Sequence, residues 1–85
     1  MYLVSIDRAA AKVLLGFPEK DQLRIRDRID ALAANPRPVD CKKLQGEDGL
    51  YRIRSGDYRV VYAIRDKQLL VLVVRIGDRK DVYRD

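Results

Sequence analysis

The chain has 85 residues, 18 of them Lys or Arg and 13 Asp or Glu, with 47% hydrophobic and 36% charged residues, one cysteine and no histidine. That length allows one domain over residues 1–85 with a single small core, and the apolar content excludes a disordered chain. No apolar run approaches the roughly 20 residues a bilayer demands, no leader-like start is visible, and the lone Cys41 excludes an internal disulfide or a zinc site; a cytoplasmic protein without membrane contact, metal or cofactor is expected.

The absence of histidine restricts any catalysis to arginine, lysine, tyrosine or carboxylate chemistry. Charge is unevenly spread. Residues 1–40 hold 7 basic and 6 acidic side chains, and residues 41–85 hold 11 basic and 7 acidic ones. An acidic partner, nucleic acid or protein, fits that second half.

In chain order, Tyr2-Leu3-Val4-Ser5-Ile6 has the composition of a strand, and Asp7 can cap a helix over residues 8–15. Ala10, Leu14 and Phe17, or alternatively Ala9 and Val13, recur at helical spacing. Gly16 and Pro18 interrupt the chain, and a second helix starts with Pro18 in its first turn. Ile25, Ile29 and Leu32 give it an apolar stripe, and Asn35, Pro36 and Pro38 stop it after residue 34. A polar connection over residues 36–49 leads to three strand-like runs, 50–54, 58–62 and 69–76, with turns at Ser55-Gly56-Asp57 and Asp66-Lys67-Gln68. Short links predict antiparallel pairing. The expected fold is α+β in the order βααβββ, with two N-terminal helices packed on a small, twisted, mainly antiparallel sheet.

Alternation along a strand puts Arg52 and Arg54 on one face with Leu50, and Arg59 on one face with Val61 and Ala63. Closing the hairpin at Ser55-Gly56-Asp57 sets Arg54 beside Arg59, which predicts a three-guanidinium cluster suited to phosphate oxygens. Lys42, Lys43, Arg75, Lys80 and Arg84 extend the basic surface, and Arg75 and Arg79 are expected to leave the end of the last strand around Gly77. A blander reading has Asp48, Asp57, Asp66, Asp78 and Asp81 neutralise these charges. Tyr51 and Tyr62 fit a core better than a contact surface, whereas Tyr83 lies in a charged tail.

Four stretches carry a resemblance: Lys43-Leu44-Gln45-Gly46, Tyr51-Arg52-Ile53-Arg54, Gly56-Asp57-Tyr58-Arg59-Val60-Val61-Tyr62, and Ile76-Gly77-Asp78-Arg79-Lys80-Asp81-Val82-Tyr83-Arg84. With them the chain resembles the RelE toxins of type II toxin–antitoxin systems, in the RelE/ParE superfamily. The resemblance implies a ribosome-dependent endoribonuclease that cuts mRNA in the A site, by attack of the ribose 2′-OH to leave a 2′,3′-cyclic phosphate. It implies catalytic roles for Arg52, Arg54, Arg59, Arg79 and Tyr83, and RNA binding by Lys42, Lys43, Arg75, Lys80 and Arg84. The implied partners are mRNA, the ribosome and an acidic, partly helical RelB-like antitoxin, in a complex that can be a heterotetramer. The chain departs from the pattern in having arginine at 52 and 54, where the best-known relative has lysine, and Asp78 where histidine is common. Asp78 then either accepts a proton or pairs with Arg79. The alternatives are a ParE-like inhibitor of DNA gyrase without nuclease activity and a protein that only binds antitoxin.

Overall fold

A computed structural model describes residues 1–46 and 49–78. The strands and helices are β1 (Leu3–Ile6), α1 (Arg8–Leu15), α2 (Glu19–Ala31), β2 (Lys42–Lys43), β3 (Leu50–Ser55), β4 (Tyr58–Arg65) and β5 (Leu70–Asp78), with a 3₁₀ turn at Asp66–Gln68. They form one five-stranded sheet in the order β1-β5-β4-β3-β2. β1 runs parallel to β5 and every other pairing is antiparallel. Two helices on a mainly antiparallel sheet is the architecture expected from the sequence. One strand was not expected: Lys42–Lys43 pairs with Arg52 and Tyr51 inside the stretch read as connection. Two residues carry too little periodicity to register as a strand.

Local chemistry accounts for the helix ends. The Asp7 carboxylate accepts the Ala9 N–H at 3.1 Å, which satisfies one of the orphan donors of α1. α2 follows Pro18, which has no side chain to cap it but is preset for a helix start, and Glu19 and Asp21 occupy its positively polarised first turn. The amide of Gln22 fastens the corner between the helices by donating to the carbonyls of Leu15 and Phe17, at 3.2 and 2.8 Å. α2 ends at Ala31, three residues earlier than the prolines suggest, in tight turns that let the Ala33 carbonyl accept the Tyr2 N–H at 2.8 Å.

The core lies between the helices and one side of the sheet. Ala10 and Leu14 of α1 and Ile25 and Ile29 of α2, with Leu32, pack on Ile53, Val60, Tyr62, Ile64, Val71, Val73 and Ile76. Of the two α1 registers left open by the sequence, the one with Ala10 and Leu14 faces inward, and Val13 is exposed. Tyr62 is fully buried and donates its hydroxyl to the Pro36 carbonyl at 2.7 Å. Burial therefore pushes the phenol pKa well above its ordinary value. Tyr51, half-buried, stacks on it at 6.0 Å and packs against the core, so both rings serve packing as expected. No helix among the described residues is long and apolar enough to cross a membrane.

One polar cluster ties three distant segments together. Asp66 accepts two hydrogen bonds from Arg37, at 3.2 and 2.9 Å, and one from the Tyr2 hydroxyl at 2.6 Å. The Arg37 guanidinium also lies over the Tyr51 ring, 5.3 Å from its centroid. The Arg37 and Tyr2 hydrogen bonds favour the ionised carboxylate, and its pKa falls from 3.8 to about 2. A carboxylate whose pKa drops on folding contributes its stability in full above the unfolded value and loses it as pH falls through the folded one. Asp66→Asn should therefore lower the urea midpoint near neutral pH, by a modest amount because the pair is exposed. The gap from the parent protein should close as pH falls from 3.8 towards about 2. A gap that persists undiminished at the acid end would mean that the Asp66 charge contributes nothing.

Candidate nucleic-acid interface

Strand register decides which side chains share the face away from the helices. Opposite residues on paired strands project to the same side, so each row can be read across the sheet. Arg54 stands opposite Arg59, and Arg59 opposite Gly77. In the next row Lys42 faces Arg52, Arg52 faces Val61, and Val61 faces Arg75. Beyond it, Leu50, Ala63, Leu72 and Ser5 form an apolar row, and Arg65 with Leu70 and Leu3 closes the face. None of these described strand positions is acidic. Six cationic side chains thus share a face that neither helix covers.

A two-residue turn brings Arg54 to Arg59. Ser55 pairs with Tyr58, leaving Gly56 and Asp57 to reverse the chain, and Gly56 takes φ of 60°. A positive φ at the first central residue belongs to the primed turns that match strand twist, and glycine adopts it without steric cost. Opposed like charges disfavour a hairpin by a few tenths of a kcal/mol to about 1. Two guanidiniums opposed in this way have the geometry to share an anion.

Arg75 reaches the same face through an irregularity. Val71 and Val73 point into the core, and strict alternation would send Arg75 there too. The pairing of β4 with β5 slips between Val61 and Tyr62, so that Val74 has no partner and Arg75 turns outward beside Val61. Arg75 therefore lies inside β5, which continues to Asp78, and does not leave the sheet near Gly77.

The two arginines of the hairpin differ in their setting. Arg54 is exposed, and its own carbonyl accepts the Arg28 Nε at 3.1 Å, a bond that caps the open edge of β3. Arg28 is held there by a 2.5 Å ion pair to Asp40. Arg59 is only 2% exposed, so its position is fixed by its surroundings.

Several expected residues lie elsewhere. Lys43 pairs with Tyr51 and so shares the helix-side parity, away from Lys42 and Arg52. Asp78 pairs with Tyr58, also on the helix side. There it adds, with Asp57, to the larger effect of the Asp21 carboxylate, which accepts the Tyr58 hydroxyl at 2.8 Å and raises the phenol pKa. Asp78 does not join the arginine rows. Asp66 is engaged by Arg37, and Asp57, at the turn, borders the cleft formed by Arg54 and Arg59. Arg79, Lys80, Tyr83 and Arg84, like Asp48 and Asp81, lie outside the described residues. A larger recess of about 280 Å³ opens between α2 and the hairpin turn, where the carboxylates of Asp21 and Asp57 outnumber the one cation, Arg24, and disfavour phosphate. Arg65 was missed, although extending the alternation of Arg59, Val61 and Ala63 by one step would have found it.

The class of protein that this helix-backed sheet belongs to emerges from comparison with known families. Residues 5–83 match the family described as ParE toxin of type II toxin-antitoxin system, parDE. The chain is 36% identical over 84 residues to the toxin RelE of Mycobacterium tuberculosis H37Rv, covering 98% of this chain and 87% of the relative. It is 31% identical over 90 residues to the mRNA interferase toxin RelE of Escherichia coli K12, covering 99% and 92%. The crystal structure of the archaeal RelE–RelB complex from Pyrococcus horikoshii OT3 contains a chain that superposes with a TM-score of 0.82 and 32% identity, over 92% of this chain and 94% of that one. These are toxins of type II toxin–antitoxin systems. Within that class, the chain belongs to the RelE toxin family of the RelE/ParE superfamily.

The geometry separates charge from packing in a way that mutations can read. Arg54→Gln should flatten the dependence of single-stranded RNA affinity on salt, the logarithmic slope changing by about 0.7, with little shift in the unfolding midpoint. Arg59→Ala also removes a buried stem and should lower stability by roughly 1–3 kcal/mol, so Arg59→Met is the better probe of its charge. Fluorescence anisotropy across a salt series, beside thermal unfolding, measures both. An Arg54→Gln slope equal to that of the parent protein would remove Arg54 from the interface.

Proposed function

We propose that the protein is a ribosome-dependent endoribonuclease that cleaves mRNA, works in the cytoplasm as a single domain, and is silenced by a RelB-like antitoxin. The observation that carries this reading is the cross-strand row of Lys42, Arg52 and Arg75 beside the opposed Arg54 and Arg59, with no acidic residue at the described strand positions of that face. The mRNA interferase activity in the name of the E. coli relative and the RelE–RelB pairing in the solved neighbours support it.

Cleavage by the 2′-OH needs a proton acceptor, stabilisation of a doubly charged phosphorane, and a donor to the departing oxygen. Fixed guanidiniums serve the second need. Arg54 and Arg59, with Arg79 from beyond the described residues, hold the non-bridging oxygens more tightly as charge develops. Arginine serves the first need poorly, since a pKa above about 12 leaves almost no free base. With Asp78 on the helix side, no described strand position on this face carries a carboxylate to accept the proton. Much of the rate must then come from holding the RNA in line, which a ribosome-bound substrate supplies. Tyr83 is assigned to stacking on a base or orienting the hydroxyl.

The match to the ParE family description favours one second reading, inhibition of DNA gyrase through the same basic face. The discriminating experiment compares cleavage time courses on naked mRNA and on programmed ribosomes with a gyrase supercoiling assay. Efficient cleavage is expected on ribosomes and little on naked mRNA. Arg59→Met should lower the ribosomal rate by about 10²–10³, the usual cost of one transition-state donor. Equal rates on both substrates would refute ribosome dependence, and inhibited supercoiling without any cleavage would establish the gyrase reading.

A further inference from the structure

The basic side chains fall into two cross-strand rows, and the rows are built differently. Arg54 and Arg59 are directly opposed, and the third position of their row, Gly77, has no side chain. In the other row Lys42 and Arg52 stand on one side of Val61 and Arg75 on the other. Val61 has no exposed surface and offers no polar atom. This second row therefore presents cationic arms from either side of an apolar floor. Along each strand the rows are two residues apart, or about 7 Å at a rise of ~3.4 Å per residue. That separation is comparable to one nucleotide step of an extended sugar–phosphate backbone.

A second observation singles out the Val61 row. Arg75 belongs to it only because the β4–β5 pairing slips at Val61/Tyr62, and bulges of this kind commonly redirect one side chain beside a functional site. Regular alternation would have put this charge among Val71 and Val73 in the core. The fold departs from a regular ladder at the point that adds a guanidinium across Val61 from Arg52.

We propose that the two rows hold successive phosphates of one RNA strand: Arg54 and Arg59 the scissile phosphate, and Lys42, Arg52 and Arg75 its immediate neighbour. The inference rests on the ribonuclease reading above and adds a subsite to it. Arg59, the most buried of the cations, is the least free to move and so suits the phosphate at which charge develops. The Val61 row binds a phosphate whose charge does not change during the reaction. Arg75 and Lys42 are then positioning residues that fix the register of the backbone along β3 and β4.

The test pairs a protein change with a substrate change. Synthetic mRNAs on programmed ribosomes would carry one uncharged methylphosphonate linkage, immediately 5′ or 3′ of the cleaved one, and single-turnover cleavage would be timed. With the parent protein, the neutral linkage on one side should slow cleavage roughly tenfold, the scale of a lost charge-assisted hydrogen bond, and on the other side hardly at all. Arg75→Gln should slow cleavage of all-phosphate mRNA to a similar degree and show little further loss on the neutral linkage. Arg54→Gln should show both losses multiplied, because it acts on a different phosphate. Lys42→Gln, at an exposed site, repeats the Arg75 comparison should Arg75→Gln unfold. Multiplied losses in the Arg75→Gln and Lys42→Gln proteins, or no slowing from a neutral linkage on either side, would overturn the two-phosphate assignment while leaving the ribonuclease intact. Failure of the parent protein to cut all-phosphate mRNA would overturn the ribonuclease reading itself.

Discussion

Everything at the candidate interface depends on the register of the β3–β4 hairpin. Six paired positions alternate between Ile53, Tyr51 and Ser55, which face the helices, and Arg52, Arg54 and Leu50, which do not. A slip by one residue would exchange the two sets, burying two guanidiniums under the helices and exposing the ring of Tyr51. Burial of charge without compensation is costly enough that the core enforces the register, and the register sets the spacing of the cations. Stability and function are in this sense specified by the same set of pairings. The Gly56-Asp57 turn cannot be lengthened without disturbing the opposition of Arg54 and Arg59.

The remaining polar contacts hold the frame around that hairpin. Arg37 and Tyr2 converge on Asp66 from the α2–β2 connection and the N-terminus, while the Tyr62 hydroxyl holds the Pro36 carbonyl from within the core. Between them they fasten a connection that has almost no apolar side chains of its own to bury. Arg28 closes the other edge through the Arg54 carbonyl, so α2 touches the strand that presents the cations. None of these groups lies on the basic face. A chain this small cannot rely on core volume alone, and it fixes its loops by hydrogen bonds on the side where no ligand has to bind.

Much of this was legible in the sequence because it follows from local periodicity. The Asp7 cap, the Ile25, Ile29 and Leu32 stripe, and the pairing of Arg54 with Arg59 each depend on spacing within a few residues. What was not legible depends on tertiary context. The two-residue β2 exists only because Arg52 and Tyr51 provide an edge for it, and that pairing is what sends Lys43 away from Lys42. The position of Arg75 depends on a bulge, which alternation by definition cannot foresee. Asp78 was singled out through the resemblance, as a proton acceptor or a partner of Arg79; its strand position puts it on the side of Tyr58, and Arg79 lies outside the described residues. Adjacent residues in a strand are separated by the full thickness of the sheet.

The chemistry of the face follows from its composition as much as from its geometry. Lysine at the positions of Arg52 and Arg54 would offer a compact charge whose pKa neighbouring cations can depress towards neutrality, and hence a group able to exchange a proton. Arginine gives up that option and offers a planar fork that stays charged beside other cations. The arginines of the face are therefore committed to electrostatic work: they can bind a phosphate and stabilise added charge on it, but they cannot activate an attacking hydroxyl. Among the described residues, Asp21, Tyr58 and Asp78 lie on the helix side, with the sheet between them and the strand cations. On the ribonuclease reading, these arginines stabilise charge while proton transfer falls to other groups, so activity depends on the setting in which the RNA is presented.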